Sequence, residues 1–172
     1  PSPQVRLATV PSAVTAPVQP PAAPQPRPPR QFTAFVRFDL NSARLTALTK
    51  TQIAAFAPVL KLATHVQVTG FTDDLGGQEL NTRLSDARSL SVDLALHEQL
   101  GAKNSEPAFS RTGRPLCCYL SENRSEAQRQ ANRLAEVRLT VPDSPQLANA
   151  LQALPDATRL REVSGADGQR LR

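Results

Sequence analysis

The sequence predicts an α/β domain of the α+β sandwich type, a small mixed sheet covered by helices, carried on a disordered proline-rich N-terminal arm. Three observations predict it. Strand-like and helix-like hydrophobic periods alternate in the order strand, helix, strand, long helix, weak strand, helix, strand. Ten of the sixteen prolines lie in residues 1–30, so composition changes sharply where the periodic part begins. Hydrophobic residues make up 40% of the 172, enough for one core, which Leu, Val, Ala and six Phe must fill because there is one Tyr and no Trp.

Residues 1–30 read as a tether. Pro20-Pro21, Pro24, Pro26 and Pro28-Pro29 lack backbone donors and fix φ, so neither helix nor sheet runs through them. Without aromatics the stretch has little to bury. It is expected to sample polyproline II at about 3.1 Å per residue, a semi-rigid spacer of up to roughly 90 Å. A recognition motif for a proline-binding module is the competing reading.

The domain is expected over residues 31–141. Phe32–Phe38, rich in aromatic and β-branched residues, reads as its first strand. A turn at Asp39–Ala43 leads into a helix from Leu45 to about Leu62, with Leu48, Ile53, Phe56 and Leu60 on or near one face. Pro58 removes one hydrogen bond there and crowds residue 54, which predicts a kink or early break. His65–Thr69 alternates as a strand and ends at Gly70. Gln78–Leu100 reads as the longest helix, closed by Gly101 at the C′ position. Its buried stripe is expected at Leu80, Leu84, Ala87, Ser91 and Leu94/Ala95. Residues 103–121 are irregular apart from a short strand near Pro107–Ser110. Ser121–Arg133 reads as a polar helix with Ser121 as a candidate cap, and Leu134–Val141 as the last strand. Residues 142–172 read as a tail with a short helical patch at Gln146–Leu154.

Charge excludes some function classes. The net +5 is spread out: three Arg and no acid in residues 1–30, 13 basic against 11 acidic residues in 31–141, and four of each beyond. No concentrated basic face for nucleic acid is expected. No apolar run approaches the ~20 residues of a membrane span, so membrane contact is expected only through an anchor outside the sequence. The chain contains no Met and begins Pro1-Ser2-Pro3, as an excised or mature segment does, with any targeting signal outside it.

His65 and His97 are scattered, and Asp73-Asp74 lacks the later oxygen ligands of a calcium loop. No Gly-x-Ser-x-Gly elbow, phosphate-binding loop or Cys–His–acid set occurs. Neither a catalyst nor a metal or other cofactor is expected. Cys117 and Cys118 are neighbours and cannot staple distant parts of a fold. Two thiols in a loop, a vicinal disulfide and an intermolecular bridge all stay open.

The densest cluster of special residues lies between the second strand and the long helix: Thr69-Gly70-Phe71-Thr72-Asp73-Asp74-Leu75-Gly76-Gly77, then Asn81, Leu84-Ser85 and Arg88. The strand delivers Thr72 and Asp73 to its C-terminal end, the glycines permit a tight reversal, and the helix presents Asn81, Ser85 and Arg88 at three- and four-residue steps. Asp73 and Arg88 can then face one another across a shallow pocket. Opposite charges held apart suit a zwitterion, its ammonium on the Asp and its carboxylate on the Arg. Against this, Asp73 can simply cap the following loop or helix, and Arg88 can be an ordinary solvated helix residue.

The pattern Thr69-Gly70-Phe71-Thr72-Asp73-x-x-Gly76, then Asn81-x-x-Leu84-Ser85-x-x-Arg88, resembles the signature of the OmpA-like C-terminal domain family, which includes Pal and MotB. Phe38-Asp39-Leu40-Asn41-Ser42-Ala43 is similar to that family's first strand and its exit, and Asn132-Arg133 before Glu136-Val137 to its closing motif. The resemblance spans about 110 residues in the right order. It implies a βαβαβ-type fold, and a non-catalytic module that binds the diaminopimelate-containing peptide stem of peptidoglycan and anchors an envelope protein or complex to the cell wall. By that analogy Asp73 and Arg88 clamp the ligand, Thr72, Asn81 and Leu84 shape or brace the pocket, and Arg133 approaches the ligand or supports the site. Other envelope proteins are implied partners, and a periplasmic, outer-membrane-associated location is implied with them. Phe71 stands where the family usually has His or a small polar residue, Leu134-Ala135 replaces its Arg-Val step, and Cys117-Cys118 falls in a variable region. These departures and the long tails support the alternative, a structural subunit of an envelope-spanning secretion or conjugation machine in which wall binding is weak or lost.

Overall fold

The computed structural model describes residues 27–101, 106–156, 158 and 160–163. The expected tether lies outside these residues except for 27–30. Among the described residues the elements run β1 (Arg30–Arg37), α1 (Ala47–Ala55), α2 (Ala57–Leu60), β2 (His65–Phe71), α3 (Gln78–Leu100), β3 (Ala108–Arg114), α4 (Glu126–Asn132), β4 (Leu134–Val141), α5 (Pro145–Gln152) and β5 (Leu160–Glu162). The strands form one mixed sheet in the order β3-β2-β4-β1-β5. Only β2 and β3 pair in parallel, as the two ends of the α3 crossover; the other pairings are antiparallel.

Strand alternation builds the core. Phe32, Ala34 and Val36 of β1 lie opposite Leu139, Val137 and Ala135 of β4, and Val66 and Val68 of β2 continue the buried layer. Ile53, Phe56, Val59, Leu60, Val92, Leu96 and Leu147 close it from the helical side. The break expected at Pro58 falls two residues earlier. α1 stops at Phe56 (φ −97°, ψ 10°), and α2 restarts with Pro58 in its first turn, where a missing N–H costs nothing.

The stripe expected on α3 is displaced. Leu94 is 56% exposed, and Leu80 and Leu90 are also exposed; the buried face runs Asn81, Ser85, Arg88, Ser89, Val92, Ala95, Leu96, Leu100. The cause lies in the sheet. Gly70 and Gly113 are register partners on β2 and β3. A Cβ at Gly70 would come 1.9 Å from the Ser85 carbonyl oxygen, and one at Gly113 would come 2.3 Å from Asp86 Oδ1. The helix therefore rests on strand backbone, and only side chains as small as Ser85 and Ser89 fit beneath it.

Two further expectations are corrected. The helix expected over Ser121–Arg133 begins only at Glu126, where Ser125 and Gln128 form a capping box. Residues 120–123 fold back instead: Asn132 Oδ1 accepts from the Leu120 and Ser121 amides, and Asn132 Nδ2 donates to the Ser121 carbonyl and Asn123 Oδ1. The segment read as a tail also packs. Ser144 caps α5 through the Leu147 amide, Leu147 is fully buried, and β5 adds to the edge of β1 through Phe32↔Glu162 to Ala34↔Leu160. Among the described residues no helix is long and apolar enough to cross a membrane.

Candidate functional site

β2 ends at Phe71, and Thr72 and Asp73 follow beyond the sheet edge. Gly76 reverses the loop at φ +89°, a left-handed conformation that favours glycine. Gly77 then opens α3 in extended conformation. Asn81, wholly buried, staples loop to helix: its Nδ2 donates to the carbonyls of Leu75 (2.8 Å) and Gly77 (3.2 Å). Its Oδ1 has no hydrogen-bond partner among the described residues.

Asp73 is 4% exposed. Its Oδ1 accepts from the Leu75 amide (3.2 Å) and its Oδ2 from Arg133 Nη1 (2.9 Å). Arg133 sits where α4 gives way to β4; its Nη2 donates to Glu126 Oε1 (2.5 Å) and to Gln130 Oε1. Burial pulls the Arg133 pKa down, but the Glu126 and Asp73 carboxylates outweigh it and hold the value above the ordinary arginine range. Arg133 Nε has no hydrogen-bond partner among the described residues.

Arg88, 1% exposed, reaches the same region from the third turn of α3. It donates to three backbone carbonyls: Nη1 to Phe71 (2.8 Å), Nε to Ser42 (2.9 Å) and Nη2 to Asp39 (3.3 Å). Its guanidinium carbon lies 5.4 Å from the centre of the Phe38 ring. Burial lowers its pKa to about 10; Asp73 opposes that and Arg133 adds to it. Arg88 stays charged at neutral pH, and three bonds leave part of its five-donor fork unused.

The expected site residues thus divide. Asp73, Arg88 and Arg133 form one buried charge cluster, with Asp73 bonded to Arg133 and coupled to Arg88 only through the field. The shallow pocket expected between Asp73 and Arg88 is closed, since both are buried. Asn81 braces the loop. Thr72 turns to residues 115–121, its Oγ1 accepting from the Leu116 amide (3.1 Å). Leu84 is half-buried on α3. Phe71 sits on the sheet face away from the core, sharing a small void with Leu134, Cys117, Cys118, Tyr119 and Leu120, so the departure there does not obstruct the charges.

Sequence reasoning missed Glu126, Gln130 and the Arg129 Nε–Asp74 ion pair at 2.9 Å. The Ser125-x-x-Gln128 capping box was their available signal. It fixes the start of α4 and so puts residues 126, 130 and 133 on one helical face.

Among solved structures the chain is similar to the cell wall anchor of the T6SS from Pseudomonas aeruginosa, at 23% identity and a TM-score of 0.54, over 65% of this chain and 82% of that one. It is also similar to the C-terminal domain of Helicobacter pylori MotB, at 19% identity and a TM-score of 0.56, over 70% and 93%. At these identities the likeness is one of fold. No curated protein matches the chain. The family model described as the OmpA family matches residues 37–133, which is more than half of the sequence and includes Thr72, Asp73, Asn81, Leu84, Arg88 and Arg133. The chain belongs to the OmpA family.

Proposed function

We propose that this domain is a non-catalytic peptidoglycan-binding module on the periplasmic side of an envelope, associated with the outer membrane, which anchors its parent protein or complex to the wall through the diaminopimelate-bearing peptide stem. The observation that carries the reading is the buried cluster of Asp73, Arg88 and Arg133, two guanidiniums that share the influence of one carboxylate, which is bonded to Arg133. The zwitterionic end of diaminopimelate matches it. The ligand carboxylate completes the Arg88 fork with charge-assisted bonds, and the ammonium takes the Asp73 carboxylate as Arg133 withdraws toward Glu126. Thr72, Asn81 and Leu84 hold the loop and helix that carry these groups. The similar structures support the reading through their descriptions: one is a cell wall anchor, the other the C-terminal domain of MotB.

The test is co-sedimentation of the chain with insoluble peptidoglycan, with free diaminopimelate as competitor and Asp73→Asn and Arg88→Lys alongside, each checked for folding by urea titration. Expected is binding by the parent, release by the competitor, and a loss of at least about tenfold in folded variants, as suits the removal of one buried charge-assisted contact. Full binding by both folded variants, untouched by diaminopimelate, sinks the assignment. A second reading, an assembly block in an envelope-spanning machine, is favoured by the closed state of the cluster and by exposed Leu48 and Leu94. A folded parent that ignores peptidoglycan selects it.

A further inference from the structure

Cys117 and Cys118 are the only cysteines of the chain. They lie on the segment between β3 and α4, both half-buried, with their Sγ atoms 2.6 Å apart. Leu116 (φ +49°) and Cys118 (φ +59°) take left-handed backbone conformations that side-chain-bearing residues rarely adopt. Such strain persists only where the surroundings hold it, and here they do. The Leu116 amide donates to Thr72 Oγ1 at one end, the Leu120 and Ser121 amides donate to Asn132 Oδ1 at the other, and Phe71 and Leu134 lie beneath. Arg114 Nη1 stands 4.0 Å from Cys118 Sγ.

We propose that Cys117 and Cys118 form a redox-active vicinal dithiol, oxidised to an intrachain disulfide by exchange with an external disulfide, and that its state sets the shape of the segment bonded to Thr72. In the first step the thiolate of one cysteine attacks a sulfur of the external disulfide R–S–S–R; a mixed disulfide forms and one RS⁻ departs. In the second, the neighbouring thiolate attacks the protein sulfur of that mixed disulfide, closes the Cys117–Cys118 bond and expels the second RS⁻. The two cysteines lose two electrons and two protons, and the external disulfide becomes two thiols. Adjacency makes the second step intramolecular, so the mixed disulfide does not accumulate. The guanidinium of Arg114 lies where the charge of a Cys118 thiolate passes during exchange. Ring closure through the Cys117–Cys118 peptide alters the dihedrals on both sides, and Leu116 carries the change to Thr72. That last link makes wall affinity depend on redox state, and it alone rests on the wall-binding reading; the thiol chemistry does not.

The test uses the full chain equilibrated in glutathione buffers, quenched with N-ethylmaleimide and weighed intact. Expected in oxidised glutathione is a monomer lighter by two hydrogens that takes up no maleimide, while Cys117→Ser and Cys118→Ser each retain one glutathione. A parent that keeps a stable glutathione adduct, that runs as a disulfide-linked dimer, or that still takes two maleimides overturns the proposal. Hydrogen exchange at the Leu116 amide reads the link to Thr72. A several-fold change between the oxidised and reduced forms is expected, and identical exchange in both removes the link. Failure of both forms to bind peptidoglycan counts against the wall-binding reading alone.

Discussion

Replacing Gly70 with alanine tests how the fold delivers its charges. A Cβ at this position would lie 1.9 Å from the Ser85 carbonyl oxygen, 2.9 Å from the Ser85 carbonyl carbon and 3.0 Å from the Ser89 amide nitrogen. All three are backbone atoms of α3, so no side-chain rotation relieves the contact. Moving from 1.9 Å to the 3.4 Å where ordinary contact begins requires the helix or the strand to retreat by 1.5 Å. Overpacking of a core typically costs about 1–3 kcal/mol, and a clash of backbone on backbone belongs at the upper end. The entropy that alanine removes from the unfolded chain returns only about 0.4–1 kcal/mol. A net loss of about 2–3 kcal/mol is expected.

Urea titration followed by circular dichroism reads this loss. With a slope of about 1–3 kcal/mol per molar urea, the midpoint should fall by about 0.7–3 M. Gly77→Ser is the matched control: no atom lies within 4 Å of its Cβ, and Gly77 already has the extended conformation of an N-cap. Serine there can cap α3 and should stabilise by a few tenths of a kcal/mol. A Gly70→Ala protein that unfolds at the parent midpoint would refute the seating of α3 on the Gly70–Gly113 trough. With it would go the explanation of the displaced buried stripe.

Leu147→Ala should cost about 2–5 kcal/mol in the same titration, because the side chain is fully buried in the core; a loss below about 0.5 kcal/mol would show that α5 is dispensable. Glu126→Gln leaves Arg133 bonded to Asp73 without its exposed partner, so releasing Asp73 becomes harder; competition by diaminopimelate should weaken several-fold at little change in stability, and unchanged competition counts against the exchange of partners. The Glu162 pKa lies below its ordinary value, chiefly through its hydrogen bond to Arg30. A carboxylate with a depressed folded pKa contributes stability above its unfolded value and loses it as pH falls through the folded one. The protection factor of the Val163 amide, which donates to the Gln31 carbonyl, should therefore fall on acidification below about pH 4.5 in the parent, once the intrinsic pH dependence of exchange is divided out, and vary less in Glu162→Gln; equal changes in both would exclude the ion pair as the cause.

Much of the fold was legible because local signals agreed with the tertiary result. Gln78–Leu100 was readable to its last residue, since Gly101 ends it at φ +64°, and Leu134–Val141 was readable as a strand with the same ends, although Leu134 and Glu136 are buried along with the core-facing residues. The buried face of α3 was illegible for a physical reason. Hydrophobicity points to the row through Leu80, Leu84 and Leu94, whereas depth of seating is decided by Gly70 and Gly113 on other elements. The length of β3 was hidden in the same way, because Ser110, Arg111, Thr112 and Arg114 show no apolar period and the strand exists through its parallel pairing with β2. Asp73 and Arg88 could be singled out from spacing alone, but their burial could not. It depends on loop 39–42, whose carbonyls hold Arg88, and on Arg133, which reaches Asp73 across 60 residues of sequence.

That burial alters what the charges mean. A guanidinium withdrawn from water loses solvation that dipoles replace only in part. Arg88 has three carbonyl oxygens as direct partners, while the carboxylate nearest in the cluster is bonded to Arg133. Its depressed pKa has burial as the largest cause, with the Arg133 charge adding to it. Glu126 eases the surplus less than its distance implies, because its side chain is 65% exposed and water screens it. A purely structural brace would be better served by a neutral donor or by an arginine with its own buried acid. A cluster that keeps an unmatched cation beside a carboxylate able to change partners is instead suited to a ligand bringing one charge of each sign. On the wall-binding proposal, Arg88 would gain a counter-charge, Asp73 would exchange one cation for another, and Arg133 would keep its bonds to Glu126 and Gln130. The Asn81 staple sets where the loop carrying Asp73 stands, and the glycine trough sets where the helix carrying Arg88 stands.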